Sequence, residues 1–108
     1  MSRLEQLLRF AQEEPMDPFN IYAVAIEYLK LDSAKALPFL ETLVKNHPDY
    51  LPTYYTFGKM LQQEKDFSRA KELFEKGIEK GTVSKDVKAV GELRNALSEL
   101  AFEMEEDF

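Results

Sequence analysis

The sequence predicts an all-α protein built from short antiparallel helical hairpins. Three observations carry that prediction. Apolar residues recur with a helical period of about 3.6 along nearly the whole 108-residue chain, and no run alternates like a half-buried strand. Capping and stop residues cut the pattern into six segments joined by two to five residues. Links that short place consecutive helices antiparallel. Finally, one pair of segments repeats the spacing of another, one hairpin further along the chain, as stacked repeat units do.

Ser2 with Glu5 three residues later is a capping-box signature, so a first helix opens there. It carries Leu4, Leu7, Leu8 and Ala11 on one face. It ends before Pro15, because the residue ahead of a proline is pushed out of the α region. Asp17 and Pro18 supply an N-cap and a first-turn proline for a second helix holding Ile21, Val24, Ala25 and Tyr28. Asp32 caps a third, with Ala36, Leu37, Leu40, Leu43 and Val44, that stops near Pro48. Pro38 lies past its first turn and is expected to remove a hydrogen bond and tilt the helix. Asp49 is expected to cap a fourth helix, with Pro52 in its first turn and Tyr54, Phe57 and Leu61 as its stripe. Asp66 caps a fifth, with Phe67, Ala70, Leu73, Phe74 and Ile78, and Gly81 is expected to stop it. The last helix is expected from about Ser84 to Met104, through Val87, Val90, Leu93, Leu97 and Leu100.

Composition narrows the function. The length suits one domain and 44% hydrophobic residues suffice for a core. A net charge of -6 argues against a nucleic-acid partner, since phosphate neutralisation needs a basic face. No cysteine is present, which removes disulfides, thiolate metal sites and thiol nucleophiles. No apolar run is long enough to span a membrane, and the start lacks a signal-peptide core, so a cytoplasmic protein without a membrane partner is expected. His47, the only histidine, sits at a helix C-terminus, where a cation suits the dipole. It has no placed nucleophile to make a triad. The pairs Glu13–Glu14 and Glu105–Glu106 read as solvated surface. No catalytic residue, metal site or cofactor is expected, and the chain is not expected to be an enzyme.

The repeat can be placed residue by residue. Ile21, Val24, Ala25 and Tyr28 match Tyr54, Phe57, Gly58 and Leu61 at an offset of 33, and Ala36 and Leu40 match Ala70 and Phe74 at 34. The extra residue falls in the turn. The stretches "YYTFGKML" and "RAKELF" resemble the tetratricopeptide repeat, an aromatic-x2-Leu-Gly-x2-Tyr helix followed by Ala-x3-Phe and then proline. Ala25 replaces the glycine in the earlier unit, and Thr82 stands where proline is favoured in the later one. Pro15 precedes Pro48 by 33, so helix 2–13 reads as the second helix of a truncated unit. Val87, Val90, Gly91 and Arg94 repeat the first-helix spacing, with Arg94 in an apolar place. The resemblance implies one domain over 1–108, a short right-handed α-solenoid. Its parts are a capping helix 2–14, repeats 17–48 and 49–82, and a capping helix 84–104. Small residues then mark close helix crossings: Ala25 and Gly58 on first helices, Ala36 and Ala70 on second ones. A helix-interior glycine costs about 0.5–1 kcal/mol against alanine, so close packing is expected at Gly58 and Gly91.

The resemblance also implies where a partner would bind. First helices of such repeats line a concave groove. Here they offer Phe19, Tyr22, Ile26 and Leu29, then Pro52, Tyr55, Lys59 and Gln62, then Lys85, Lys88, Glu92 and Asn95. The expected partner is a protein or peptide with an aromatic or aliphatic anchor and an acidic end, in an adaptor or scaffold role. The carboxylate clamp of some family members is not matched, since Tyr22, Ile26 and Thr56 occupy its places. Two other readings compete. The aromatic end is covered by a neighbouring helix or a second copy, and the lysines are solvated surface. A homodimer through the groove or the last helix, whose apolar residues have heptad-like spacing, would make the chain a structural module.

Overall fold

The computed structural model describes residues 2–106. They form six helices, and no strand occurs among them: α1 Arg3–Glu13, α2 Pro18–Leu29, α3 Ser33–Asn46, α4 Pro52–Gln63, α5 Phe67–Val83 and α6 Val87–Glu106. The chain divides into two compact units, Met1–Tyr50 and Leu51–Phe108. Of the last four residues, EEDF, which the sequence leads one to expect frayed, Glu105 and Glu106 instead continue α6, and 107–108 lie outside the described residues.

In the first unit α2 packs against both α1 and α3. Caps act at the residues the sequence singles out. Ser2 accepts from Glu5 N, Asp17 from Phe19 N and Asp32 from Ala34 N. Ile21, Val24 and Ala25 of α2 meet Ala36, Leu40 and Leu43 of α3 as the buried layer. The helix α3 runs unbroken through Pro38, and Thr42 donates its hydroxyl back to the Pro38 carbonyl at 2.9 Å. By contrast α1 buries none of its residues.

In the second unit α4, α5 and α6 pack in all three pairs. Tyr54, Phe57, Phe74, Leu93 and Leu100 are its large buried side chains. Two glycines let these helices close. A Cβ on Gly58 would lie 2.6 Å from Cδ1 of Phe74, and one on Gly77 would lie 2.7 Å from Cβ of Tyr54 and 2.8 Å from Cδ1 of Leu93. Ala70 is fully buried at the same crossing.

The turns into α5 and α6 share one design. Lys65 and Lys85 take the left-handed conformation (φ 66° and 62°). The next residue then donates back across the helix end, Asp66 N to Leu61 O and Asp86 N to Gly81 O, both at 2.9 Å. This is the six-to-one bond that closes a helix C-terminus. The same aspartate caps the next helix, Asp66 accepting from Arg69 N and Asp86 from Ala89 N.

Four expectations need correction. Gly81 does not stop α5. It lies buried inside that helix, where a Cβ would come within 2.8 Å of Cγ2 of Val90. The last helix starts at Val87, not Ser84, because Asp86 is the cap. Leu51, not Asp49, holds the N-cap position of α4 and gives no side-chain cap bond. The following Pro52 needs none at its own nitrogen, since it has no N–H. Gly91 is not closely packed: a Cβ there would meet nothing within 4 Å.

Candidate partner-binding faces

In the first unit, Phe19, Tyr22, Ile26 and Leu29 fall within one quarter-turn of α2, turned away from the buried Ile21, Val24 and Ala25. Phe19 is 61% exposed, and the other three are half-buried. The Tyr22 ring meets the Tyr50 ring edge-on at 5.6 Å between centroids. Burial, and to a lesser degree Tyr22 and Asp17 nearby, push the Tyr50 phenol above its ordinary 10.0. On another side of α2, Glu27 receives Lys30 at 3.1 Å and Arg3 of α1 at 3.4 Å. The Lys30 hydrogen bond first, then that of Arg3, lower its carboxyl below 4.5 against partial desolvation.

In the second unit, Tyr55, Lys59 and Gln62 share the corresponding side of α4. Tyr55 is 42% exposed. Lys59 reaches Glu99 of α6 at 3.5 Å. Gln62, expected on an open face, is buried because its amide donates to Glu103 of α6 at 2.7 Å. Its Oε1 is buried and unpaired among the described residues. Glu103 also accepts from Lys65 at 3.3 Å. The Gln62 bond and then the Lys65 bond hold the Glu103 carboxyl below 4.5.

The lysines separate. Lys88 is exposed on the α6 side that carries Glu92, Asn95 and Glu99, so this face is of mixed charge rather than cationic. Lys85 lies in the turn before α6 and lines a different hollow, with Gly81, Val90 and Gly91. Sequence reasoning misses Glu99 and Glu103. They continue the Lys88, Glu92, Asn95 spacing down the same side of α6.

Short helix–turn–helix units with small residues at their crossings define a helical repeat module, a class that commonly mediates protein–protein interaction. No family model and no curated protein matches the chain. Solved structures do. A solution structure of a tetratricopeptide repeat domain protein from Salinibacter ruber is 37% identical, with a TM-score of 0.75 over 80% of this chain and 88% of that one. A crystal structure of a tetratricopeptide repeat domain protein from the same organism is 36% identical, with a TM-score of 0.75 over 79% of this chain and 97% of that one. A Bordetella parapertussis protein, 24% identical, shares the fold with a TM-score of 0.79 over 95% of this chain and 90% of that one. The chain belongs to the tetratricopeptide repeat family. No helix among its described residues is long and apolar enough to cross a membrane.

Proposed function

We propose that the chain is an adaptor that binds a protein or peptide segment through the outward sides of its first-position helices, each unit offering its own face. The α2 face would take an aromatic or aliphatic anchor against Phe19, Tyr22, Ile26 and Leu29. On the second unit, Tyr55 would stack on the segment while an acidic group takes Lys59 from Glu99 or meets Lys88. Gln62 would hold Glu103 in place rather than touch the partner. The observation that carries this reading is the exposure of Phe19 and Tyr55, at 61% and 42%, on helices whose opposite sides carry buried core residues. Exposed aromatics are what interface anchors are made of.

Peptides selected by display for binding to the wild-type protein test it. They are expected to share an aromatic or aliphatic anchor. They should lose at least about tenfold affinity, or ~1.4 kcal/mol, for the Phe19→Ala and Tyr55→Glu proteins at unchanged helicity. Selected peptides that bind both variants as tightly as wild type would show that neither face is the site.

A further inference from the structure

The helix α6 has one side seated and one side bare. Leu93, Ala96 and Leu100 are buried in the second unit. About a third of a turn away, Val87, Val90, Gly91, Leu97 and Ala101 line shallow hollows on the other side. Val87 is 82% exposed.

The repeat register says what that bare side is built for. Val87 and Gly91 follow Tyr54 and Gly58 at the repeat offset of 33. In α4, those two positions receive the second helix of the hairpin: Phe74 lies over Gly58, and Gly77 lies against Tyr54. So among the described residues α6 is a first helix without a second helix seated on it. The opposite holds for α1. Leu7 and Phe10 precede Leu40 and Leu43 at the same offset. Those leucines are fully buried in α3, whereas Leu7 is half-buried and Phe10 is 50% exposed. So among the described residues α1 is a second helix without a first helix of its own repeat.

We propose that α1 of one copy seats on the bare side of α6 of another, completing a third repeat between two molecules. In the register of the filled hairpin, Leu7 covers Gly91 as Phe74 covers Gly58, and Phe10 lies on Val87. The sizes suit each other. The filled pair sets a large Tyr54 against Gly77, and the proposed pair sets a small Val87 against a large Phe10. Arg94, the polar intruder in α6, stands at the register of Tyr28, whose ring stacks on Phe39 at 5.5 Å. The α1 residue at the register of Phe39 is Gln6, so one polar group meets another. Charge sets the direction. Antiparallel seating brings the exposed Glu13 and Glu14 at the end of α1 to the exposed Lys85, which lines the hollow at the start of α6. Arg3, at the α1 end nearer Arg94, has Glu27 of its own chain 3.4 Å away.

The two surfaces differ, so the contact is heterologous and each copy can both give and receive. One 11-residue helix is a small patch. Burial below about 1,200 Å² belongs to weak, transient association, so self-association is expected between micromolar and millimolar protein.

Sedimentation of the full chain over that range tests the proposal. The mean mass of wild type should rise with concentration. Phe10→Glu and Val87→Glu should each stay monomeric at unchanged helicity. Their equimolar mixture should regain a one-to-one complex, because each brings the surface the other has lost. Should Phe10→Glu lose helicity, a charge exchange carries the same test. Glu13→Lys with Glu14→Lys should weaken association, as should Lys85→Glu, and mixing the two proteins should restore it. A wild type that is monomeric at millimolar concentration overturns the proposal and leaves the α6 face to a foreign helix. Association that survives Phe10→Glu overturns it in favour of α6 pairing with α6, and so does a mixture that stays monomeric.

Discussion

Gly58 and Gly91 occupy the same place in two helices one repeat apart, and among the described residues only the first has a neighbour in the space of a Cβ. At Gly58 the ring of Phe74 takes the space a Cβ would need, while a Cβ at Gly91 would find nothing within 4 Å. The intrinsic penalty of a helical glycine, about 1 kcal/mol against alanine, is therefore offset by ring burial at Gly58. Within one copy it is offset by nothing at Gly91. The contrast separates two things that sequence spacing runs together: the shape of a seat and the presence of its occupant. It also ranks the experiments that bear on it.

The occupant itself gives the largest effect. Phe74 is fully buried, and replacing such a ring by alanine costs about 3–5 kcal/mol. Phe74→Ala should lower unfolding stability by that amount in urea titrations. Leu7 stands at the same register in α1 and is only half-buried. Leu7→Ala in dilute protein should cost less than half as much. An equal loss would mean that α1 is already covered in the monomer, and the contrast between filled and open seats would fail.

The glycines give the next effect, and here the sign carries the information. Gly58→Ala must displace the Phe74 ring and should destabilise by about 1–3 kcal/mol, the usual cost of overpacking. Gly91→Ala removes backbone entropy from the unfolded chain without a clash and should stabilise by about 0.5–1 kcal/mol. Both are read from urea midpoints at low protein concentration. A destabilising Gly91→Ala would show that something occupies that seat even there.

Much of this is legible in the sequence itself. The caps at Ser2, Asp17, Asp32 and Asp66 all act through their side chains, because a short oxygen-bearing residue ahead of an apolar period has few other uses. The close crossing at Gly58 and Ala70 is legible through the repeat resemblance, whereas the Phe74 ring that fills it is seen only in the structure. Gly81 misleads because a glycine that ends a helix and one that admits a neighbour look alike. What separates them is Val90, nine residues on, reachable only once α6 is folded back. Gly77 is illegible for the same reason. On the candidate faces, the apolar side of α2 is legible as a period, whereas the pairing of Lys59 and Gln62 with Glu99 and Glu103 is not. Those acids lie where α6 runs beyond the length of a repeat helix, so no register points to them.

The smallest effect concerns the seated flank of α6, where α4 and the turn after it hold it by polar contacts. The Gln62 amide and then the Lys65 ammonium favour the charged form of Glu103, which lowers its carboxyl below 4.5 in the folded protein. A lowered group binds fewer protons folded than unfolded. Its contribution is therefore complete above the unfolded value of about 4.3, and it is lost as pH falls through the lowered folded value. Glu103→Gln should thus be less stable than wild type at neutral pH, and the gap should close in acid. The gain from Gly91→Ala removes no charge and should hold over the same range, which makes acid a probe of the seated side alone. A Glu103→Gln gap that does not change with pH would mean that Gln62 and Lys65 do not discriminate the carboxylate from its protonated form. In that case the polar contacts would not be what distinguishes the seated side of α6 from its bare one.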